Sequence, residues 1–293
     1  MSIQWYPGHM TKARRLIAEA IASKDVILEV LDARMPAASA NPVLTELRRQ
    51  KPCLKVLSKS DLADPRVTDA WLRHLTHAPV STAPGAGRVL AVALRTDRAA
   101  EARARIPDLC QQLAPHRQGP GKSLRVMVVG IPNVGKSTLI NTLLGRVVAS
   151  AANVPAVTKA TQQMVVRRGF ILSDNPGILW PKIEDENASF RLAFGGAIPG
   201  TAIDYEPVAR FGAEFLLACY PECVQTRYGL ETLPATADAL LEEIGRRRGG
   251  LRKGGVVDRH KAAGILLHEF RAGTLGRISL EEPPSEVVSV AGS

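Results

Sequence analysis

The stretch from Val126 to Ser137, which reads VMVVGIPNVGKS, decides the fold of this chain. Its first four residues form a short apolar run typical of a buried parallel strand, and its last eight match the phosphate-binding pattern GxxxxGK[ST]. A helical segment follows over Thr138 to Leu144, and Gly145 can end it. The glycines let backbone N–H groups curl around phosphates, and the helix N-terminus adds positive charge. The order of strand, loop and helix therefore predicts a nucleoside phosphate site.

Two side chains of this phosphate loop carry the expected chemistry. Lys136 would neutralise the β- and γ-phosphates and so act in catalysis, and the Ser137 hydroxyl would ligate Mg²⁺. The other loop residues that we expect to contact the nucleotide are Asn133, Val134, Gly135 and Thr138. The loop thus predicts a nucleoside triphosphate and Mg²⁺ as ligands.

A second segment, SDNPG over 173–177, extends the predicted metal site. It begins at the end of the apolar run 170–172. Asp174 can hold Mg²⁺ through water and the Gly177 N–H can contact the γ-phosphate, although the same residues also suit an ordinary turn. Between the two segments, Thr158 is the candidate switch threonine that would complete the Mg²⁺ shell and support catalysis, with Thr161 as the alternative.

The segment SKSD over 58–61 predicts which base is bound. It follows the apolar run 54–57, and GTPases read guanine with an [NT]KxD segment at a strand end. Asp61 would accept hydrogen bonds from guanine N1 and N2, a pair of donors that adenine lacks, and Lys59 would pack along the base. Ser58 stands where Asn is usual, and alone the segment would suit a surface turn. Because a phosphate loop is also present, we expect GTP and GDP as ligands.

The order of these segments predicts a rearranged fold. In ordinary GTPases the base-reading segment follows the phosphate loop, whereas here it precedes it, so we expect a circular permutation. Apolar runs that suit strands alternate with helical stretches, and they lie at 26–31, 54–57, 89–94, 126–129, 163–166 and 170–172. Alternation of this kind indicates an α/β fold with a three-layer, mostly parallel sheet that binds ligands at the carboxyl ends of its strands.

Beyond Pro181 the pattern changes, and helical spacing appears at 208–220, 236–248 and 258–271 with nothing like a strand between them. We therefore expect a circularly permuted P-loop GTPase domain over 1–182 and a smaller, all-helical domain over 183–280. Residues 281–293 contain two prolines and small polar residues, and we expect a loose tail there.

The charge balance points to a polyanionic partner. The chain has 38 Lys and Arg against 28 Asp and Glu, a net charge of +10, and its densest basic run is RRRGGLRKGG over 246–255. Nucleic acid and an acidic membrane surface both fit this balance. No signal-peptide pattern opens the chain, and no apolar run approaches the ~20 residues that cross a bilayer. We expect no membrane span and a cytoplasmic location.

Together these motifs resemble the circularly permuted bacterial GTPases of the ribosome biogenesis GTPase A type, also called YlqF. The resemblance runs through nearly the whole chain and includes WYPGHM at 5–10, DAR at 32–34, the phosphate loop, DNPGILWP at 174–181 and several positions between 254 and 278. It implies a GTPase domain followed by a helical RNA-binding domain, and a role in late assembly of the large ribosomal subunit. The chain departs from the family pattern at Ser58, Ala156 and Asn175.

Hydrolysis needs a group that positions water, and the usual Gln is replaced by Ile178. The resemblance implies a slow GTPase that its partner stimulates. We hypothesise that His9 positions the water, because imidazole accepts a proton near neutrality; the alternative is a loop residue packed on Trp5 or Tyr6. In related GTPases that bind K⁺, an Asn at the position of Asn133 is a ligand, so K⁺ is a further candidate cofactor.

The predicted function is a GTP-dependent assembly factor that binds rRNA on a large ribosomal subunit precursor in the GTP state and leaves after hydrolysis. Binding to DNA is not expected. One alternative is a GTPase that acts on another RNA, such as tRNA, or at an anionic membrane. The other is a non-catalytic RNA-binding module with a decayed nucleotide site, which Ser58 and Ile178 make conceivable.

Overall fold

A six-stranded sheet forms the centre of the computed structural model, which describes residues 15, 17–48, 50–77, 87–147, 163–167, 169–174 and 185–284. The strands are β1 (Val26–Asp32), β2 (Cys53–Ser58), β3 (Val89–Ala93), β4 (Leu124–Val129), β5 (Gln163–Arg167) and β6 (Phe170–Asp174). Their order across the sheet is β3-β2-β1-β4-β6-β5, and only β5 runs antiparallel to its neighbour. The predicted mostly parallel α/β sheet is therefore confirmed.

The central strands are mostly apolar because helices cover both faces of the sheet. All seven residues of β1 are buried. The helices of this half are α1 (Pro36–Ser39), α2 (Pro42–Arg48), α3 (Pro65–His77), α4 (Ala99–Leu113) and α5 (Lys136–Leu144). Helical residues 17–22, α2 and α3 cover one face, and α4 and α5 cover the other. These are the three layers that the sequence predicts.

A bundle of five helices follows the sheet. They are α6 (Glu186–Gly195), α7 (Tyr205–Cys219), α8 (Pro221–Tyr228), α9 (Ala237–Arg247) and α10 (Arg259–Ala272). Four of them begin at a side chain that accepts a hydrogen bond from the first turn, namely Asp185, Asp204, Thr236 and Asp258. Such caps satisfy N–H groups that the helix itself cannot. The sequence reasoning located α7, α9 and α10 but missed α6 and α8, which are short.

The sheet and the helical bundle share one hydrophobic core. Residues of β1, such as Val30, belong to the same buried cluster as Phe194 of α6 and Phe270 of α10. The chain then returns to the sheet half, where Ile278 N–H donates to the Leu62 carbonyl and Leu280 N–H to the Arg34 carbonyl. The domain boundaries at 182 and 280 stay predictions, since residues 175–184 lie outside the described part of the chain.

The packed chain extends to Glu281, the first residue of the expected loose tail. Its carboxylate accepts hydrogen bonds from the N–H groups of Ala37 and Ala38, and its side chain is 7% exposed. Burial is the main reason that its pKa is raised. Residues 285–293 lie outside the described residues. No helix of the described residues is long and apolar enough to cross a membrane.

Candidate functional site: a phosphate loop between the sheet and the helical bundle

The loop that joins β4 to α5 has a strained backbone that its glycines permit. Gly130, Asn133 and Gly135 have positive φ angles of 148°, 59° and 102°. A Cβ at Gly130 would lie 2.6 Å from the Val30 carbonyl oxygen, so only glycine lets the loop pass this close to β1. Gly135 is the N-cap residue of α5. The loop conformation thus depends on the two glycines of the phosphate-binding pattern.

The first turn of α5 gathers a cation and two hydroxyl groups. Lys136 is buried, and its Nζ donates to the Ile131 carbonyl across the loop at 2.6 Å. Ser137 is half-buried and Thr138 is exposed, while Val134 is packed into the core. Because a helix N-terminus carries partial positive charge, this arrangement suits an anionic phosphate group.

The base-reading segment lies against the phosphate loop, although it precedes that loop in the sequence. The Ser58 Oγ is within hydrogen-bond distance of the Val134 carbonyl and lies 2.9 Å from the Leu31 carbonyl. The Lys59 Nζ donates to the Asn133 carbonyl at 2.8 Å. The structure therefore places these two segments side by side, although their order along the chain is the reverse of that in ordinary GTPases.

Asp61 lies beside the loop that follows β3. Its carboxylate accepts hydrogen bonds from Thr96 N–H at 3.0 Å and from Thr96 Oγ1 at 2.7 Å. Residues 93–96 read ALRT, a sequence that does not by itself indicate a base-contacting loop. The position of Thr96 shortly after β3 could have identified it, because β3 lies beside β2 in the sheet and Asp61 follows β2. A cleft at this place is lined by Ser58, Lys59, Leu94, Arg95, Thr96, Gly135 and Thr138, among others.

A buried charged group at the end of β1 was missed as a site feature. Asp32 is fully buried and accepts from Arg34 Nε at 2.9 Å, from Arg34 Nη2 at 2.8 Å and from Lys59 Nζ at 2.7 Å. Burial alone would raise the pKa of Asp32, but the charges and hydrogen bonds of Arg34 and Lys59 outweigh it and hold that pKa far below its usual value. Desolvation lowers the pKa of Lys59, against the attraction of Asp32. The DAR motif at 32–34, whose two charged residues follow an apolar run, could have indicated this buried group.

The phosphate loop also contacts the helical bundle. The Asn133 Nδ2 donates to the Gly196 carbonyl at 2.8 Å, directly after α6. The carbonyls of Ala193 and Phe194 accept from Arg271 of α10, and Gly195 accepts from Arg34. These carbonyls at the end of α6 and just after it therefore accept from side chains of three other segments, and the Ala193 carbonyl also accepts from the Gly196 N–H.

Several predicted site residues lie outside the described part of the chain. They are His9, Thr158, its alternative Thr161, and Gly177. Asp174 is described only as a backbone position at the end of β6, where it pairs with Val128 of the strand that leads into the phosphate loop. The roles of these residues stay predictions.

The comparisons with known proteins agree with this geometry. The family model described as "50S ribosome-binding GTPase" matches residues 125–198. Over 290 residues the chain is 38% identical to the ribosome biogenesis GTPase A of Priestia megaterium, covering 97% of this chain and 98% of that protein. The chain belongs to the ribosome biogenesis GTPase A family. The Thermotoga maritima member of this family is 31% identical over 285 residues, which cover 96% of this chain and 95% of that protein.

Solved structures of the ribosome biogenesis GTPase A family have the same fold. The GDP-bound TM YlqF aligns with a TM-score of 0.63 at 25% identity over 92% of this chain and 99% of that chain. The GNP-bound YlqF from T. maritima aligns with a TM-score of 0.61 at 26% identity over 93% and 99%. The protein is therefore a GTPase of ribosome biogenesis with a circularly permuted P-loop domain and a helical C-terminal region. Its domain type implies GTP or GDP with Mg²⁺ as ligands.

Proposed function

We propose that this GTPase binds rRNA on a precursor of the large ribosomal subunit when it holds GTP, and that it leaves after hydrolysis. The observation that carries the proposal is the contact between Asn133 of the phosphate loop and Gly196 at the end of α6. Through this contact, a change at the nucleotide can alter the placement of the helical bundle. The bundle carries the densest basic run of the chain, so its placement determines how a polyanionic partner can contact these basic residues.

We assign the nucleotide-binding roles as follows. Ser58, Lys59 and Asp61 hold the guanine, and the contacts with the β- and γ-phosphates come from Asn133, Val134, Gly135, Lys136, Ser137, Thr138 and Gly177. The Ser137 hydroxyl and the Asp174 carboxylate are oxygen donors of the kind that Mg²⁺ prefers. Asp174 ends β6 and Ser137 follows the neighbouring strand β4, so these residues fit the ion. Mg²⁺ bound there would neutralise charge that develops on the phosphates. Thr158 would join this set.

Hydrolysis yields GDP and phosphate, and we assign three roles to residues of this chain. Lys136 neutralises charge on the transferred phosphoryl group, His9 positions the attacking water, and Thr158 would complete the Mg²⁺ shell. K⁺ is part of the proposal because the contact with Gly196 uses the amide nitrogen of Asn133 and leaves the amide oxygen as a possible ligand. K⁺ would add positive charge near the phosphates.

The proposed RNA surface differs from the simple basic run that the sequence indicates. Five arginines of this region, Arg246, Arg247, Arg248, Arg252 and Arg259, form ion pairs with acidic side chains of the bundle. Within the described part of the chain, the exposed Lys253 and Lys261 form no ion pair. The positive charge of these two lysines is not neutralised by an acidic side chain of the described residues, so it can interact with RNA phosphates.

The loop between α9 and α10 presents Lys253 at a tight turn. Leu251 and Val257 form an isolated antiparallel bridge, and Arg252 N–H donates to the Val256 carbonyl. Gly254 and Gly255 have φ angles of 88° and 77°, so this turn needs glycine at both positions. A narrow, basic and glycine-rich turn can approach an RNA backbone closely, and RNA is read largely by shape.

The test is GTP hydrolysis in K⁺ buffer, with and without purified large ribosomal subunits, with ATP as the nucleotide control. We expect stimulation by the subunits for GTP only, and loss of both rates in Lys136→Ala, which removes the phosphate-neutralising cation. Stimulation by tRNA or anionic vesicles, with none by the subunits, would overturn the proposed partner. Equal rates in K⁺ and Na⁺ would exclude the role of K⁺.

A further inference from the structure

A chain of three charged groups connects the base-reading segment to the helical bundle. Lys59 donates to Asp32, and Asp32 is held by Arg34 through two nearly parallel hydrogen bonds. The side chains of Asp32 and Arg34 are 0% and 2% exposed, and that of Lys59 is 20% exposed. Only the lysine therefore reaches towards the cleft, and the other two groups lie behind it.

The far side of Arg34 is held by the bundle. Its Nη1 donates to the Phe270 carbonyl at 3.3 Å and its Nη2 to the Gly195 carbonyl at 3.4 Å. Its guanidinium carbon also lies 4.7 Å from the centre of the Phe270 ring. Guanidinium groups bind carboxylates in a fixed fork and stack on aromatic rings, so these contacts allow Arg34 one orientation.

The orientation of Arg34 determines that of Asp32, and Asp32 determines where the ammonium group of Lys59 lies. An unpaired charge is costly when it is buried, as Asp32 and Arg34 are, so none of the three groups can leave without removing a partner from another. The burial of Asp32 and its two-point pairing with Arg34 therefore favour one position of the Lys59 ammonium group. In that position the lysine also reaches the Asn133 carbonyl of the phosphate loop.

We propose that Asp32 and Arg34 are positioning residues for Lys59, and that α6 and α10 of the helical bundle hold this charged chain in place. The inference rests on the proposed role of Lys59 at the guanine. It gives the bundle a direct influence on nucleotide affinity through groups that do not touch the nucleotide. Coupling of this kind is reciprocal, so the nucleotide also influences the bundle.

A double-mutant cycle on the full chain tests the inference. GDP affinity is measured by titration calorimetry for the wild type, Asp32→Asn, Lys59→Met and the double variant. We expect each single change to weaken GDP about tenfold, because each removes the favoured placement of Lys59 along the base. We expect the double variant to weaken GDP about tenfold as well, because both changes remove the same contact.

The outcomes separate the inference from the proposed function. If Lys59→Met leaves GDP affinity unchanged, the assignment of Lys59 to the guanine fails and the inference fails with it. If Lys59→Met weakens GDP but Asp32→Asn does not, only the inference fails. It also fails if the two effects multiply in the double variant, because independent residues would then be acting.

The matched control is Asp25→Asn. Asp25 directly precedes β1, whereas Asp32 is the last residue of that strand. Like Asp32, Asp25 is buried and paired with an arginine, and its Oδ1 lies 2.9 Å from the Arg117 Nε. It lies at the opposite end of the strand from the phosphate loop, so we expect unchanged GDP affinity. Weakening of GDP by Asp25→Asn as large as that by Asp32→Asn would show a general effect of lost buried charge and overturn the inference.

A second variant covers the case in which Asp32→Asn fails to fold, as thermal unfolding would reveal. Arg34→Lys keeps a cation beside Asp32 but loses the two-point fork. We expect it to weaken GDP by less than tenfold, and we expect this effect to disappear in the Lys59→Met background. An effect that persists in that background would contradict the positioning role.

Discussion

Ser58 departs from the family pattern, but its side chain still contacts the phosphate loop. The family usually has Asn at this position, and serine has a shorter side chain with one hydroxyl group in place of the amide. In the structure Ser58 Oγ lies within hydrogen-bond distance of the Val134 carbonyl, and a Cβ at Gly135 would lie 3.6 Å from it. The phosphate loop therefore lies close enough for a hydroxyl group to join it to β2.

Asp61 supports a prediction about base choice. In the proposed assignment the Asp61 carboxylate accepts from guanine N1 and N2. Asp61→Asn should then weaken GTP binding at least tenfold, because one of the two acceptor oxygens and the negative charge are lost. Xanthine carries an oxygen where guanine has the 2-amino group, and the new amide can donate to it. XTP should therefore bind the variant better than the wild type. Competition against labelled GTP measures both effects.

Asp97→Asn is the control for this prediction. Asp97 is exposed in the same loop as Thr96 and pairs with Arg95 at 2.8 Å, but it makes no contact with Asp61. We expect unchanged preference for GTP over XTP. If Asp61→Asn also kept the wild-type preference, the assignment of guanine recognition to Asp61 would be wrong.

At the scale of elements, the close packing of α6 on α7 depends on a glycine within a helix. Gly212 lies in the middle of α7, and a Cβ there would lie 2.2 Å from the ring of Phe194 of α6. The ring is fully buried and stacks on Phe270 of α10, so it has no room to move. The glycine is therefore required for the approach of α6, the helix whose end contacts the phosphate loop.

Gly212→Ala should destabilise the protein by about 1–3 kcal/mol, because overpacking outweighs the gain in helix propensity. Gly264 in α10 is the matched control, since a Cβ there would have no atom within 4 Å. Gly264→Ala should stabilise the protein by about 0.5–1 kcal/mol. Urea unfolding followed by circular dichroism measures both changes. Equal stabilisation by the two substitutions would disprove the packing argument.

At the scale of the whole molecule, the net charge of +10 does not show where a polyanion binds. The arginines of the basic run largely face acidic partners of α9 and α10, and exposed ion pairs of this kind contribute little to stability. Their charge is nevertheless partly neutralised. Lys253 at the turn between the two helices and Lys261 in the first turn of α10 form no ion pair with any described residue, so they are the more effective cations towards phosphate.

Replacing both lysines, Lys253→Gln with Lys261→Gln, should weaken binding to large-subunit rRNA. It should also reduce the slope of log affinity against log salt concentration by about 0.7 for each lysine, because fewer counterions are released. Filter binding between low and moderate salt measures the slope. Arg246→Gln is the control, since Arg246 pairs with Glu242 and Glu243, and it should change the slope less. A larger effect of Arg246→Gln would refute the assignment of the free charge.

The sequence by itself determined the local features of this protein. The strands, the phosphate loop and the helices α7, α9 and α10 follow from residue type and spacing, because apolar periodicity and glycine conformations act over a few neighbours. The order of SKSD and the phosphate loop was enough to predict a circular permutation. The short helices α6 and α8 were missed, since eight to ten residues carry little periodic signal.

Only the tertiary structure decided which distant residues meet. Lys59 meets Asp32, Phe270 meets Arg34 and Asn133 meets Gly196, although nothing in their local sequences indicates these partners. The physical reason is that a buried charge must be paired wherever the fold places it, and that pairing depends on how the sheet and the helical bundle pack. Sequence reasoning could therefore predict candidate groups for nucleotide binding, but not the charged chain that we propose to position one of them.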